Sequence, residues 1–197
     1  MATIDLPNNI LEALSTVLQQ LQQSLPEVKQ APDFSAIAFK WENGELKAIH
    51  QLKRIELNDL KGIERQKEKV LQNTEQFLNG LPANDVLLTG SRGTGKSSIV
   101  RALLTEYAEQ GLRLIEIERD DLSELPEIQK LIAERPEKFI VYCDDLAFNA
   151  EDENYRSLKS VLDGSLQSGS SNFIIYATSN RRHLLPELMH ENTPVTR

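Results

Sequence analysis

The sequence predicts an α/β fold, a parallel sheet with helices on both faces, on three observations. Short apolar runs at 86–89, 112–117, 139–143 and 173–177 read as strands buried on both sides, because each run is continuous rather than alternating. Stretches with helical spacing separate them, at 96–109, 125–134 and 154–166. Polar residues follow two of the runs, Asp144-Asp145 directly and Asn180 three positions on, at the strand end where open α/β sheets bind ligands.

Ahead of this region the pattern is different. From Leu6 to Leu25, apolar residues at Ile10, Leu11, Leu14, Val17, Leu18, Leu21 and Leu25 share one face of a helix, with Gln19, Gln20, Gln22 and Gln23 mostly opposite. Pro26 and Pro32 break it. Ile37, Phe39 and Trp41 then alternate with smaller or polar residues up to Asn43-Gly44, a hairpin signal. A two-residue turn there sets Trp41 opposite Leu46 and Phe39 opposite Ala48, so one face of the ribbon is apolar. A lone ribbon is marginal in water. Residues 1–53 therefore read as an N-terminal extension of helix and hairpin that packs on the rest of the chain or on a protein partner. Residues 54–197 read as the main domain.

Its first helix is expected to be capped by Asn58 or Asp59 and to carry Leu60, Ile63, Val70, Leu71, Phe77 and Leu78 before stopping at Gly80. Lys61, Arg65, Lys67 and Lys69 alternate there with Glu64 and Glu68, which favours a solvated helix face over a phosphate patch. Gly164 interrupts the 154–166 helix, and Ser168 to Ser171 reads as a short flexible linker.

Gly90-Ser91-Arg92-Gly93-Thr94-Gly95-Lys96-Ser97 satisfies GxxxxGK[ST] in full, between an apolar strand and a helix, and Ser98 continues it. Glycine permits backbone angles that turn successive N–H groups inward around an anion, and the helix behind adds its positive end. Lys96 is the residue that meets the outer phosphates, and Ser97 places its hydroxyl on a magnesium ion. Arg92 lies outside the required pattern and reads equally as a phosphate contact or an exposed loop charge. The 139–143 strand delivers Asp144 and Asp145, the first suited to hold magnesium and the second, pointing elsewhere, to polarise an attacking water. Asn180, after the 173–177 strand, is placed to hydrogen-bond a γ-phosphate or that water.

Taken in this order, the phosphate loop, the acid-bearing strand and the Asn-ending strand resemble the AAA+ ATPases, in which the polar residue after the last of these strands is called sensor 1. Asp59-Leu60-Lys61-Gly62-Ile63 resembles that family's box II segment, which implies that Gly62 and Ile63 border the adenine. More narrowly, the runs 80–88, 93–98, 143–146 and 177–183 resemble a bacterial group of AAA+ proteins catalogued as domain of unknown function 815. The resemblance implies ATP and Mg2+ as cofactors, Lys96, Asp145 and Asn180 in catalytic roles, and ATP hydrolysis by a homo-oligomer. Two departures qualify it. The second acid is Asp145 where the family usually has Glu, which implies slow hydrolysis, and Glu118 to Ser123 lacks the aromatic and Gly pair of threading unfoldases. The family also carries a fifth core strand, an arginine finger and a helical lid after sensor 1, for which the residues up to Arg197 leave no room. A C-terminally truncated core is the expectation, with the 86–89 strand at an uncovered sheet edge and weak or no turnover alone. Arg181 and Arg182 fit surface or phosphate-side contacts equally well.

Composition narrows the classes. With 22 Lys+Arg against 30 Asp+Glu the net charge is −8, so broad nucleic-acid binding is not indicated. No apolar run exceeds five residues, against the roughly 18 of a spanning helix, so no membrane segment is expected. The first basic residue is Lys29, so a secretory leader is not expected and a cytoplasmic protein is. Cys143 is the only cysteine, which excludes an internal disulfide or a cysteine metal cluster and reads as a small buried hydrophobe. His50, His183 and His190 lack metal-ligand spacing. A GTPase is disfavoured by the absence of NKxD, and a P-loop kinase by the absence of an arginine-bearing lid. The rival of another class is a non-catalytic, nucleotide-gated interaction module or degenerate fragment.

Overall fold

The structure, a computed structural model, describes residues 7, 10, 15–17, 32–147 and 172–180. The chain divides into two compact units, Met1–Ala31 and Pro32–Arg197. In the first, Ile10 and residues 15–17 are helical. The rest of the helix expected over 6–25, the 154–166 helix, the 168–171 linker and Arg181, Arg182, His183 and His190 lie outside the described residues.

The second unit contains β1 (Ala38–Glu42), β2 (Glu45–Ala48), α1 (Glu64–Leu78), β3 (Val86–Thr89), α2 (Lys96–Tyr107), β4 (Leu112–Glu116), α3 (Leu125–Ile132), β5 (Lys138–Cys143) and β6 (Phe173–Ser179). Short 3-10 turns occupy Leu57–Asp59, Ala108–Gln110 and Arg119–Glu124. The six strands form one sheet in the order β2-β1-β4-β5-β6-β3, parallel throughout except for the antiparallel β1–β2 pair. Every residue of β6, and all of β5 after Lys138, is buried, as continuous apolar runs require of central strands. Among the described residues β3 is the opposite edge, and its Leu87 is 41% exposed.

Side-chain alternation along the strands splits the core into two layers. On one face Phe39, Trp41, Ile115, Phe139, Val141 and Ile175 pack with Leu125, Ile128 and Ile132 of α3. On the other, Leu114, Ile140, Tyr142, Ile174 and Tyr176 pack with Val70 and Phe77 of α1 and with α2. Helices thus cover both faces.

The hairpin forms in the expected register, Trp41 opposite Leu46 and Phe39 opposite Ala48, around a turn with Asn43 and Gly44 at φ 55° and 72°. Those angles are the two positive values that a type I′ turn requires. The ribbon, read as part of an extension over 1–53, takes the first of its two expected places, on the rest of the chain. β1 pairs in parallel with β4, Ala38 with Leu114 and Phe39 with Ile115, and the hairpin belongs to the second unit. Phe39 is fully buried and Trp41 nearly so, its indole N–H donating to Glu124 Oε2 at 2.6 Å. The sheet gains apolar surface that a free ribbon would expose.

The start of α1 is corrected. Asp59 caps only the Leu57–Asp59 turn, accepting from the Glu56 N–H at 3.2 Å, and the α-helix begins five residues later. Gly62 has φ +76°, so a right-handed helix cannot run through it. Lys67 leaves the solvated face assigned to it, its Nζ donating to the carbonyls of Leu60 at 2.6 Å and Leu57 at 3.1 Å. Among the described residues no helix is long and apolar enough to cross a membrane.

Candidate functional site

Parallel pairing brings three strand ends to one level. Thr89 of β3 lies opposite Ser179 of β6, and Cys143 of β5 opposite Ala177. Pairing runs on past the strands, with the Gly90 N–H donating to the Ser179 carbonyl at 3.2 Å and the Leu146 N–H to the Thr178 carbonyl at 2.7 Å. The segments leaving these ends therefore open on a common cleft of about 260 Å³, lined by Arg92 to Ser98, Asp144, Asp145, Thr178 and Asn180. That is slightly below the roughly 300–1,000 Å³ of whole small-molecule sites, and suits the phosphate end of a nucleotide.

Lys96 opens α2 and its ammonium is fully engaged. It donates to the carbonyls of Gly90 at 2.8 Å and Ser91 at 2.9 Å, and to Asn180 Oδ1 at 3.0 Å. Thr94 Oγ1 donates to the Ser91 carbonyl at 2.9 Å, closing the loop on itself. Gly95, immediately before the helix, has φ +85°, and a Cβ there would meet Ile63 Cδ1 at 3.3 Å. The position therefore favours glycine both for its angle and for the approach of Ile63. Ile63 thus sits against the phosphate loop, although neither it nor exposed Gly62 lines the cleft. Arg92 is exposed at the cleft's rim.

Ser97 Oγ reaches both oxygens of Asp144, at 2.9 and 3.1 Å. Thr178 donates its hydroxyl to Asp144 Oδ1 and accepts the Asp145 N–H at 3.0 Å. The same Asp145 N–H reaches Asp144 Oδ1 at 3.1 Å. Asp145 has φ 53°, left-handed for a residue with a side chain, a conformation Asp tolerates better than most. That twist turns its carboxylate to Asn180, whose Nδ2 donates to Asp145 Oδ1 at 2.6 Å. Burial works to raise the Asp144 carboxyl, but the hydroxyls of Thr178 and Ser97 and the Asp145 N–H hold it below its ordinary value. Burial pushes the neighbouring Cys143 thiol up to about 12, in keeping with an inert, buried side chain.

A magnesium ion fits this donor set. Among the described residues no group of three or more His, Cys, Asp or Glu is gathered as a protein-only metal cage would need. Magnesium instead takes one or two protein oxygens and completes its shell with water and phosphate oxygens. Ser97 and Asp144 offer such a pair beside the phosphate loop.

The structure brings Lys96, Ser97, Asp144, Asp145 and Asn180 into one hydrogen-bonded set. Thr178 is the member that sequence reasoning missed. It is 1% exposed, and a threonine in an apolar strand reads as a strand former. Its signal was parity, since Tyr176, Thr178 and Asn180 fall on one face of the strand.

A family model described as "Protein of unknown function (DUF815)" matches residues 34–197. The chain belongs to that family. The matched span begins just before the hairpin, in agreement with the place of β1 and β2 in the sheet. In this DUF815 member the strand before the glycine loop lies beside the Asn-ending strand, and that strand beside the acid-bearing one. A stretch of 52 residues is 36% identical to the replication factor C large subunit of Methanococcus maripaludis (strain C7), covering 26% of this chain and 11% of that protein. Two solved structures are similar, each with a TM-score of 0.48. AMPPCP-bound DnaA from Aquifex aeolicus is 19% identical, with 68% of this chain and 44% of that chain covered. A DNA replication initiation factor is 18% identical, with 68% and 43% covered. The chain therefore spans less than half of each of these relatives.

Proposed function

We propose that the chain is the nucleotide-binding core of an AAA+ type ATPase that takes Mg-ATP. The observation that carries this reading is the convergence of Lys96, Ser97, Asp144, Asp145 and Asn180 on one cleft behind a glycine loop. In this reading Lys96 exchanges its loop carbonyls for phosphate oxygens, and the loop N–H groups complete the cradle. Ser97 and Asp144 hold the magnesium ion, which when bound offsets charge on the phosphate oxygens. Asp145 orients the attacking water, and Asn180 reports the γ-phosphate by its link to Lys96. Ile63, which sits against the loop, borders the base together with Gly62. Turnover by the isolated chain is weak, because fast phosphoryl transfer takes an arginine supplied by a neighbouring subunit, and the working form is a homo-oligomer.

One contact favours a second reading, a nucleotide-gated switch without catalysis. Asp145 is shorter than glutamate and already bound by Asn180, so its carboxylate is engaged before any water arrives. Competition of ATP and GTP for a fluorescent adenine nucleotide, with and without Mg2+, tests the main reading. Magnesium-enhanced preference for ATP is expected, and preference for GTP would overturn it. Single-turnover hydrolysis at saturating ATP separates enzyme from switch.

A further inference from the structure

Tyr142 lies two residues before Asp144 on β5, so both side chains leave the same face of the sheet. Its ring is fully buried in the layer beneath α2. Its hydroxyl faces Asp144, Ser97 and Thr178, yet has no aligned hydrogen bond to any of them and no contact with solvent. A buried hydroxyl without a partner is unfavourable, and phenylalanine would fill the same space without leaving a polar atom unpaired. The hydroxyl is therefore placed for a state in which the groups above it rearrange. In the described arrangement Asp144 Oδ1 accepts from Ser97, Thr178 and the Asp145 N–H, whereas Oδ2 accepts only the longer Ser97 contact at 3.1 Å. The carboxylate retains acceptor capacity on the side where Ser97 is shared.

We propose that Tyr142 is a positioning residue of the metal half-site, its hydroxyl donating to the Asp144–Ser97 pair when a divalent cation draws on those oxygens and so fixing the orientation of the Asp144 carboxylate. The proposal rests on the reading of Ser97 and Asp144 as the magnesium pair. Tyr142 touches no substrate and acts through Asp144, as groups behind metal ligands do.

The test compares wild type with Tyr142→Phe in two readouts, melting temperature without metal, and ATP affinity in EDTA against a Mg2+ series. Tyr142→Phe is expected to melt no lower than wild type without metal and to bind ATP in EDTA equally well. The Mg2+ concentration giving half-maximal enhancement should rise about tenfold, the scale of losing a partner behind a metal ligand. An unchanged Mg2+ dependence in Tyr142→Phe, with or without a lowered melting temperature, overturns the proposal and leaves the magnesium reading standing. Absence of any Mg2+ enhancement in wild type overturns both.

Discussion

Asn180 accepts a hydrogen bond from Lys96 Nζ on its Oδ1, at 3.0 Å. The same carboxamide donates from Nδ2 to Asp145 Oδ1, at 2.6 Å. An ammonium can only donate and an ionised carboxylate can only accept, so the orientation of the amide is settled by its neighbours. One side chain at the end of β6 thereby couples the lysine of the phosphate loop to the second acid of β5. In the proposed reading, a phosphate that drew Lys96 away would change the environment of Asn180 and, through it, the position of Asp145.

Asn180→Ala is accordingly expected to separate binding from turnover. Nucleotide affinity should change by no more than about fivefold, the worth of one hydrogen bond. ATP turnover should fall roughly 100-fold, the scale for removing one oriented donor from a charged transition state. Equilibrium binding and steady-state phosphate release, measured on the same preparation, check it.

Thr178→Val tests the buried hydroxyl that ties the two acids. Valine keeps the shape but deprives Asp144 of one of its donors and the Asp145 N–H of one of its acceptors. A stability loss of about 1–3 kcal/mol in urea unfolding is expected. Nucleotide affinity in EDTA should be unchanged, while Mg2+ enhancement weakens.

Phe39→Ala tests the place of the hairpin. Phe39 is fully buried between β4, Ala48 and Phe34, so truncation should destabilise the whole second unit by about 3–5 kcal/mol in one cooperative transition. If the hairpin were an appendage, the main transition would stay where it is.

Arg135 and Glu137 give a pH-dependent prediction. The guanidinium meets the carboxylate through Nε at 3.0 Å and Nη2 at 2.6 Å, and lies over the Phe34 ring at 4.4 Å. The hydrogen bond from Arg135 holds the Glu137 carboxyl below its ordinary value. A carboxyl depressed in the folded state contributes stability above its unfolded pKa of about 4.3, and that contribution is lost as pH falls through the folded value. Glu137→Gln should therefore melt below wild type at pH 7, and the gap should close below about pH 4. Thermal melts across pH 3–7 check the sign.

Much of this was legible in the sequence because it is local. The Asn43-Gly44 turn fixes the hairpin register, the glycine loop fixes the start of α2, and each strand end carries its own polar residue. What was not legible depends on contacts distant in sequence. The parallel pairing of β1 with β4 joins residues about 75 positions apart and has no local signature, so the hairpin read as an extension. Gly62 read as a box II residue, yet its left-handed backbone also delays α1. Thr178 was passed over and Tyr142 read only as part of a strand, because the contact of Thr178 with Asp144 and the burial of the Tyr142 hydroxyl beside the site exist only once β5, β6 and α2 are assembled.

The central claim is that the Gly90–Ser97 loop with Lys96 is a phosphate site for ATP. Titration calorimetry of ATP with Mg2+ into wild type and Lys96→Ala tests it most directly. Wild type should bind, and Lys96→Ala should bind at least about tenfold more weakly, the loss expected for one charge-assisted contact, with an unchanged melting temperature without nucleotide. Equal ATP affinity in the two proteins would contradict the account.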